Sequence, residues 1–418
     1  MSEPEASSET ESAVAAPPAV PLLAPRDGVP ELVDTAAGVA AAAELLASGH
    51  GPLAVDAERA SGFRYSARAY LVQLRREGAG TVLLDPIPTA DALAPLAEVV
   101  NPLEWVLHAA DQDLPGLAEL GLHPARLFDT ELGARLAGFE RVGLAAVVER
   151  ELGYSLKKGH GADDWSKRPL PDAWLNYAAL DVELLVDLRD AVAADLERQH
   201  KTEWAAQEFE RVRLAGPPVP KPDRWRRVSH ITSLKSPRQL AAARALWEAR
   251  EDLARRRDVS PSRVLPDSAI VDAATKDPRT VGELRALPVF GGPRQRRYSR
   301  VWLTALEQAR GLGDAELPSR SPRTVGPPAA SRWARVDPEA ADRLASVRAG
   351  LNALSEKVTV PVENLAHPEL VRRIVWDWRG GTAADLDAAL DAGGARPWQR
   401  DLVVPVLAAA LAEPVDEP

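Results

Sequence analysis

The stretch LAVDAERASG, Leu53 to Gly62, places two acids, Asp56 and Glu58, directly after a short apolar run. Leu53, Ala54 and Val55 read as a strand, and side chains two apart in a strand point the same way. Asp56 and Glu58 therefore share one side. There they repel each other unless something positive sits between them or one of them is protonated. A strand end dipping into solvent would carry the same two residues at no cost, so the pair gains meaning only from what the rest of the chain brings to it.

The chain has 418 residues, more than one ordinary core holds, and two to four domains are expected. With 45% hydrophobic and 27% charged residues it has the balance of a soluble globular protein. No apolar run approaches the roughly 20 residues needed to span a bilayer, so no membrane partner is expected. The start, MSEPEASSETESAVAAPPAVPLLAP, lacks the basic beginning of a secretory signal and reads as a disordered tail. There are no cysteines, which excludes disulfides, thiolate chemistry and Cys-ligated zinc. The expected compartment is the cytoplasm.

The net charge of -10 argues against a nucleic-acid partner until its distribution is read. From Arg211 to Arg300 there are 21 Lys plus Arg against 9 Asp plus Glu, a net of +12, and the remainder carries -22. A basic segment inside an acidic protein is the footprint of a domain that tracks phosphates. Arg-rich solvated helix faces are the plainer alternative.

After a tail over 1–30, GVAAAAELLASG reads as a helix leading into the opening strand. YLVQLRR and TVLLDP follow at hairpin spacing, then a helix through DALAPLAEVV and a strand at WVLHAA. This predicts a mixed sheet with helices on its faces. From GLAAVVERELG through AWLNYAALDVELLVDLRDAVAADLERQ the periodicity is helical. Two Pro-rich connections, LAGPPVPKPDRW and ELPSRSPRTVGPPAASRW, then divide the chain into three parts. The last two look like copies: SPSRVLPDSAIV and TVPVENLAHPELV set Pro261 opposite Pro361, Leu265 opposite Leu365 and Val271 opposite Val371, a spacing of 100, with GELRAL and ADLDAAL shifted two further.

More acids extend the first pair. In VLHAADQDLPGL a strand ends at His108 and a helix begins near Asp113, which is either a site acid or a cap competing with Asp111. In WLNYAALDVELL, Tyr177 and Asp181 are four apart and share a helix face. What raises their weight is the ordered set: D-x-E on the first strand, an acid at a junction, then Y-x-x-x-D on a late helix.

The residues VDAE, HAADQD and YAALD, in this order, resemble the three exonuclease motifs of the DEDD superfamily, in the subgroup with Tyr in the last motif. More closely, DWSKRPLP followed by NYAALDVELLVDL resembles ribonuclease D, and the two helical copies are similar to the HRDC domains that follow the nuclease domain in that family. The resemblance covers roughly residues 35 to 412. It implies an α/β ribonuclease H-like exonuclease domain over 31–212, a linker over 213–234, an HRDC domain over 235–312, a linker over 313–335 and a second, less basic HRDC-like domain over 336–412. It also implies a metal-dependent 3′-5′ exoribonuclease acting on RNA with a free 3′ end, tRNA precursors among them, and working as a monomer.

Phosphodiester hydrolysis needs charge stabilisation on the attacking and the leaving oxygen, which two divalent ions, Mg²⁺ or Mn²⁺, supply through oxygen ligands. By the family's pattern Asp56 bridges both ions, Glu58 and Asp181 bind the ion that activates water, and Asp113 acts on the other side. Tyr177 holds the attacking water. Lys157, Lys158, Trp165 and Arg168, flanking the loop before the last motif, are candidate contacts to the phosphate backbone or a base. A packed Trp and solvated cations are the plainer reading of these four. His108 reads as a satisfied strand-end histidine and His160 as a loop residue. No G-x-S-x-G, Walker A or dinucleotide-binding fingerprint is present. Two alternatives stand beside the ribonuclease: a DNA exonuclease of the same superfamily, and a nucleic-acid-binding scaffold with an inactive nuclease domain.

Overall fold

Residues 50–59 form the strand at the heart of the main sheet in the computed structural model, which describes residues 18–157, 159–216, 222–320 and 326–412. Eight strands are present among these: β1 (Val20–Leu22), β2 (Leu32–Val33), β3 (His50–Arg59), β4 (Ala69–Glu77), β5 (Gly80–Leu84), β6 (Glu104–Leu107), β7 (Arg126–Asp129) and β8 (Tyr154–Leu156). The six-stranded sheet runs β2-β5-β4-β3-β6-β7. β3 lies between antiparallel β4 and parallel β6, so the sheet is mixed, as expected. Leu53, Ala54 and Val55 are all fully buried. Such a continuous apolar run marks a strand covered on both faces.

The two faces can be followed residue by residue. Val72, Leu74, Val82 and Leu84 join the large core, whereas Leu71 and Leu83 join a smaller one with Trp165, Ala178 and Ala179. Across the β3–β4 ladder, Ala57 pairs with Val72 and Glu58 with Leu71. Cross-strand partners share a face, so Asp56 and Glu58 look toward the smaller core, where a helix lies over them.

Among the described residues the first part carries nine α-helices: α1 (Ala36–Ser48), α2 (Pro86–Thr89), α3 (Ala94–Val100), α4 (Leu114–Ala118), α5 (Thr130–Leu136), α6 (Leu144–Leu152), α7 (Asp172–Glu183), α8 (Leu185–Arg198) and α9 (Thr202–Leu214). α7 is the helix over the smaller core, supplying Ala178 and Ala179. The larger core on the other face takes residues from α1, α3, α5, α8 and α9.

Residues 18–30, read in the sequence as part of a tail, are structured. β1 pairs in parallel with β8, Asn176 Nδ2 donates to the Leu23 carbonyl at 3.0 Å, and Arg26 sits against Glu183 and Asp187. Residues 1–17 lie outside the described residues.

The second part comprises α10 (Pro237–Arg257), α11 (Pro261–Val264), α12 (Asp267–Lys276), α13 (Val281–Ala286), α14 (Pro293–Arg296) and α15 (Ser299–Gly311) around its own core. Trp225, Val228 and Leu234, expected in a linker, are buried in that core. The third part comprises α16 (Trp333–Val336), α17 (Pro338–Val358), α18 (Val362–Leu365), α19 (Pro368–Asp377), α20 (Ala383–Ala392) and α21 (Pro397–Leu411). Its core is continuous with that of the first part. Trp204 stacks on Trp398 at 5.0 Å, and Glu208 accepts from Arg396 Nε and Trp398 Nε1 at 2.5 and 3.0 Å.

α10, α11 and α12 of the second part and α17, α18 and α19 of the third follow the same order, with one change of register from the sequence alignment. The starts Pro237 and Pro338, Pro261 and Val362, and Asp267 and Pro368 are each 101 positions apart rather than 100. Burial decides it: Ile270 and Val371 are both interior, whereas Val271, the partner of Val371 at a spacing of 100, is half-buried. No helix among the described residues is long and apolar enough to cross a membrane.

Candidate active site

Asp56 and Glu58 project from β3 toward α7, where Tyr177 and Asp181 stand one turn apart on the facing side. One carboxylate oxygen each from Asp56, Glu58 and Asp181 lies within 4.8 Å of the others. Asp113, at the junction after β6, lines the same cavity of about 520 Å³, as does Tyr177. The five residues singled out from the motifs are thus brought together from one strand, one helix and a turn.

Asp113 is the N-cap residue of α4, yet its side chain caps nothing. It faces the cavity and Arg59, whose Nε is 3.6 Å from Asp113 Oδ1. The turn that aims it is held by a residue the sequence reading missed. Ala109 has a left-handed backbone, φ 62°, and the Ala109 and Ala110 amides donate to Asp129 Oδ1 and Oδ2 at 3.1 and 2.9 Å. The same carboxylate caps α5 through the Glu131 and Leu132 amides. The cap was legible as an Asp-Thr-Glu helix start; the second use, twenty residues back, was not.

Gln73, fully buried on β4 opposite Asp56, donates from Nε2 to Asp56 Oδ2 at 3.3 Å and orients that acid. Sequence had given it no role. Burial pushes the Asp56 carboxyl up to about 6, against the opposing pull of the Ala57 amide and Arg59. Burial together with the neighbouring Asp56, Asp181 and Asp113 pushes Glu58 up to about 9. Burial and the Asp56 charge also raise Asp113 and Asp181 well above the usual range. The Tyr177 phenol is driven upward as well, first by burial and then by Asp181 and Glu58, so it stays protonated at neutral pH.

Next to Tyr177 lies the KKGHGADDW loop. His160 packs edge-on against its ring at 5.8 Å while Nδ1 contacts Asp163 Oδ2 at 2.6 Å. A Cβ on Gly159 would stand 2.7 Å from Tyr177 Cδ2, which is why glycine occupies that position. His108 lines the cavity. Thr130 Oγ1 donates to the Leu107 carbonyl and therefore accepts from His108 Nδ1–H at 2.9 Å. Burial lowers the imidazole to about 4, so it is neutral.

The expected substrate contacts divide. Trp165 is fully buried in the smaller core, with Nε1 donating to the His160 carbonyl at 3.1 Å, and is not free to stack on a base. Arg168 is spent on Asp85, Nε to Oδ2 at 2.5 Å and Nη2 to Oδ1 at 2.7 Å, and on the Tyr70 carbonyl. Both corrections have one cause: these residues tie the loop to the sheet. Lys158 lies outside the described residues, and Lys157 lines the cavity.

Four raised carboxylates line one cavity against the loosely held Arg59 guanidinium and Lys157, which, among the described residues, leaves the site short of positive charge. The donors are all hard oxygens, which suits a divalent cation such as Mg²⁺ or Mn²⁺.

Comparison with known proteins places this arrangement. A family described as 3′-5′ exonuclease matches residues 30–197, an HRDC domain matches 239–306, and a 3′ to 5′ exonuclease C-terminal domain matches 326–411. The chain is 33% identical over 274 residues to ribonuclease D of Jannaschia sp. (strain CCS1), covering 63% of this chain and 70% of that one. It is 39% identical to a protein from Bifidobacterium adolescentis of solved structure, with TM-score 0.84 over 94% of this chain and 99% of the other. Escherichia coli RNase D, an exoribonuclease involved in structured RNA processing, shares the fold at 23% identity, TM-score 0.66, over 91% and 98% of the two chains.

Proposed function

Because this chain belongs to the ribonuclease D family of 3′-5′ exonucleases, we propose that it shortens RNA from free 3′ ends, in maturation of tRNA or other stable RNA, by divalent-cation-dependent hydrolysis at Asp56, Glu58, Asp113 and Asp181. The observation that carries the reading is the approach of three carboxylate oxygens, from β3 and α7, to within 4.8 Å of one another inside one cavity.

Two divalent cations bound by these acids would lower the pKa of water and offset charge on the attacking and leaving oxygens. Water attacks the terminal phosphorus, the bond from phosphorus to the preceding ribose O3′ breaks, and a nucleoside 5′-monophosphate leaves. The proton lost by water is balanced by one gained at O3′. Tyr177, protonated and braced by His160, orients the attacking water through its hydroxyl. Asp129 and Gln73 act at one remove, fixing the Asp113 turn and the Asp56 carboxylate.

The partner reading rests on the second part. Arg257, Arg263, Arg294 and Arg297 surround a cavity of about 480 Å³ with Tyr298 on its wall. Among the described residues none of the four is ion-paired to a carboxylate. Arg263 also stacks over Phe63 at 4.1 Å and donates to the Gly62 carbonyl, so this cavity adjoins the loop leaving β3. RNA phosphates are the natural counter-charge. The double variant Arg294→Glu/Arg297→Glu should weaken binding of a hairpin RNA with a 3′ tail at least about tenfold. It should also flatten the log–log salt dependence by roughly one to two units. An unchanged slope by fluorescence anisotropy would remove this cavity from the RNA path.

The function is tested with RNA labelled at either end. The 3′-labelled strand should release labelled mononucleotide first and the 5′-labelled strand should shorten stepwise, with Mg²⁺ or Mn²⁺ and not with chelator. A matched DNA strand reads the sugar preference in the same assay. Internal cleavage, or activity surviving chelation, overturns the reading.

A further inference from the structure

Arg59 follows Glu58 directly, and regular alternation would turn it away from the acids. The ladder prevents that. Asp56, Ala57 and Glu58 pair in step with Gln73, Val72 and Leu71, but Arg59 pairs with Ala69, skipping Tyr70. An irregularity of this kind re-aims the side chain beside it. The guanidinium comes round to Asp113 and Gln112, and Arg59 lines the cavity with the acids.

Its contacts there are loose. Nε is 3.6 Å from Asp113 Oδ1 and Nη2 is 3.3 Å from Gln112 Oε1, longer than the roughly 2.7–2.9 Å of a charge-assisted bond. Arg168 shows what a structural arginine looks like in this same chain, gripping both oxygens of Asp85 at 2.5 and 2.7 Å. Arg59 also has a side chain 31% exposed, facing the space a substrate would enter. It offsets the charge of Asp56, Glu58 and Asp113.

We propose that Arg59 is a catalytic residue that changes partners, resting on Asp113 while the acids hold no cation and turning to a non-bridging oxygen of the scissile phosphodiester when they do. The inference rests on reading the acids as a cation site. With a divalent cation held by the acids, Asp113 would be satisfied and the guanidinium repelled, and the scissile phosphate beside it would offer the acceptor oxygens that arginine fits. Once there, the guanidinium meets the charge that builds on the phosphoryl oxygens. It thus competes with the cation before substrate binds and assists hydrolysis afterwards.

These two roles have opposite signs in one variant. Mn²⁺ titration of the metal-free full chain without RNA, followed by electron paramagnetic resonance of free Mn²⁺, should show Arg59→Gln binding about 3–10-fold more tightly than the parent. At saturating Mn²⁺ its kcat on a single-stranded RNA should fall roughly 30–300-fold, and Arg59→Lys should recover part of that loss with near-parental Mn²⁺ affinity. Asp56→Asn, measured alongside, should lose at least about tenfold in Mn²⁺ affinity. If Asp56→Asn binds like the parent, the reading of the acids fails and this proposal with it. If Asp56→Asn loses affinity but Arg59→Gln binds Mn²⁺ no more tightly, or keeps kcat within threefold, the cation site stands and the proposal for Arg59 is overturned.

Discussion

Asp56→Asn is expected to leave less than about one part in 10⁴ of the metal-dependent shortening of RNA 3′ ends. That corresponds to roughly 5 kcal/mol of lost transition-state stabilisation. The size follows from position: Asp56 is grouped with both Glu58 and Asp181, and its charge acts on Glu58, Asp113 and Asp181 alike. Asparagine keeps the shape, and its amide oxygen still accepts from Gln73 Nε2, which now meets Asp56 Oδ2 at 3.3 Å. The fold is therefore retained and the loss reports charge. Single-turnover digestion of 3′-labelled RNA, with circular dichroism as the fold control, measures it. Equal RNA loss with and without the substitution would mean that another site, or none in this chain, is responsible, as a nucleic-acid-binding scaffold would require.

What could be read from the sequence was what short-range periodicity encodes. The shared face of Asp56 and Glu58 follows from alternation, and that of Tyr177 and Asp181 from the helical repeat. The hairpin of β4 and β5 is likewise local, two β-rich runs joined by a short turn. The illegible parts all depend on partners distant in sequence. Arg168 looks like a phosphate contact until Asp85, 83 residues away, takes its guanidinium. Trp165 looks like a stacking surface until α7 and the sheet close over it. Asp129 reads as a helix cap, and only the fold reveals that it also clasps the turn presenting Asp113. Domain count shows the same limit. Pro-rich connections divide the chain into three, but the third part shares its hydrophobic core with the first. Lys201 Nζ joins them as well, donating to the Leu136 carbonyl at 2.7 Å and to Thr359 Oγ1 at 3.0 Å. A linker marks where the chain crosses, not which surfaces meet.

Glu58→Gln should make the metal-free protein more stable while making it inactive. In the folded chain Glu58 is pushed up to about 9 by burial and by three neighbouring acids, from 4.5 when free of them. Between those values the folded state binds more protons at this group than the unfolded state, so its contribution to stability declines as pH rises. Asp56 behaves alike over a narrower span, from 3.8 to about 6. This is opposite to the usual paired carboxylate, whose stabilisation grows with pH. In chelator at pH 8 the glutamine variant should therefore melt roughly 3–6 °C above the parent, and the gap should close as pH falls below 4.5, where Glu58 carries its proton in both states. Mn²⁺ should reverse the order, since a ligand that binds only the folded form stabilises it by mass action and the parent binds it better. Differential scanning fluorimetry across pH, with and without Mn²⁺, gives all four corners. A variant that melts at or below the parent at pH 8 in chelator would show that the acids are not held against their own repulsion. The cation would then have no strain to relieve, and the affinity expected of this cavity would need another source.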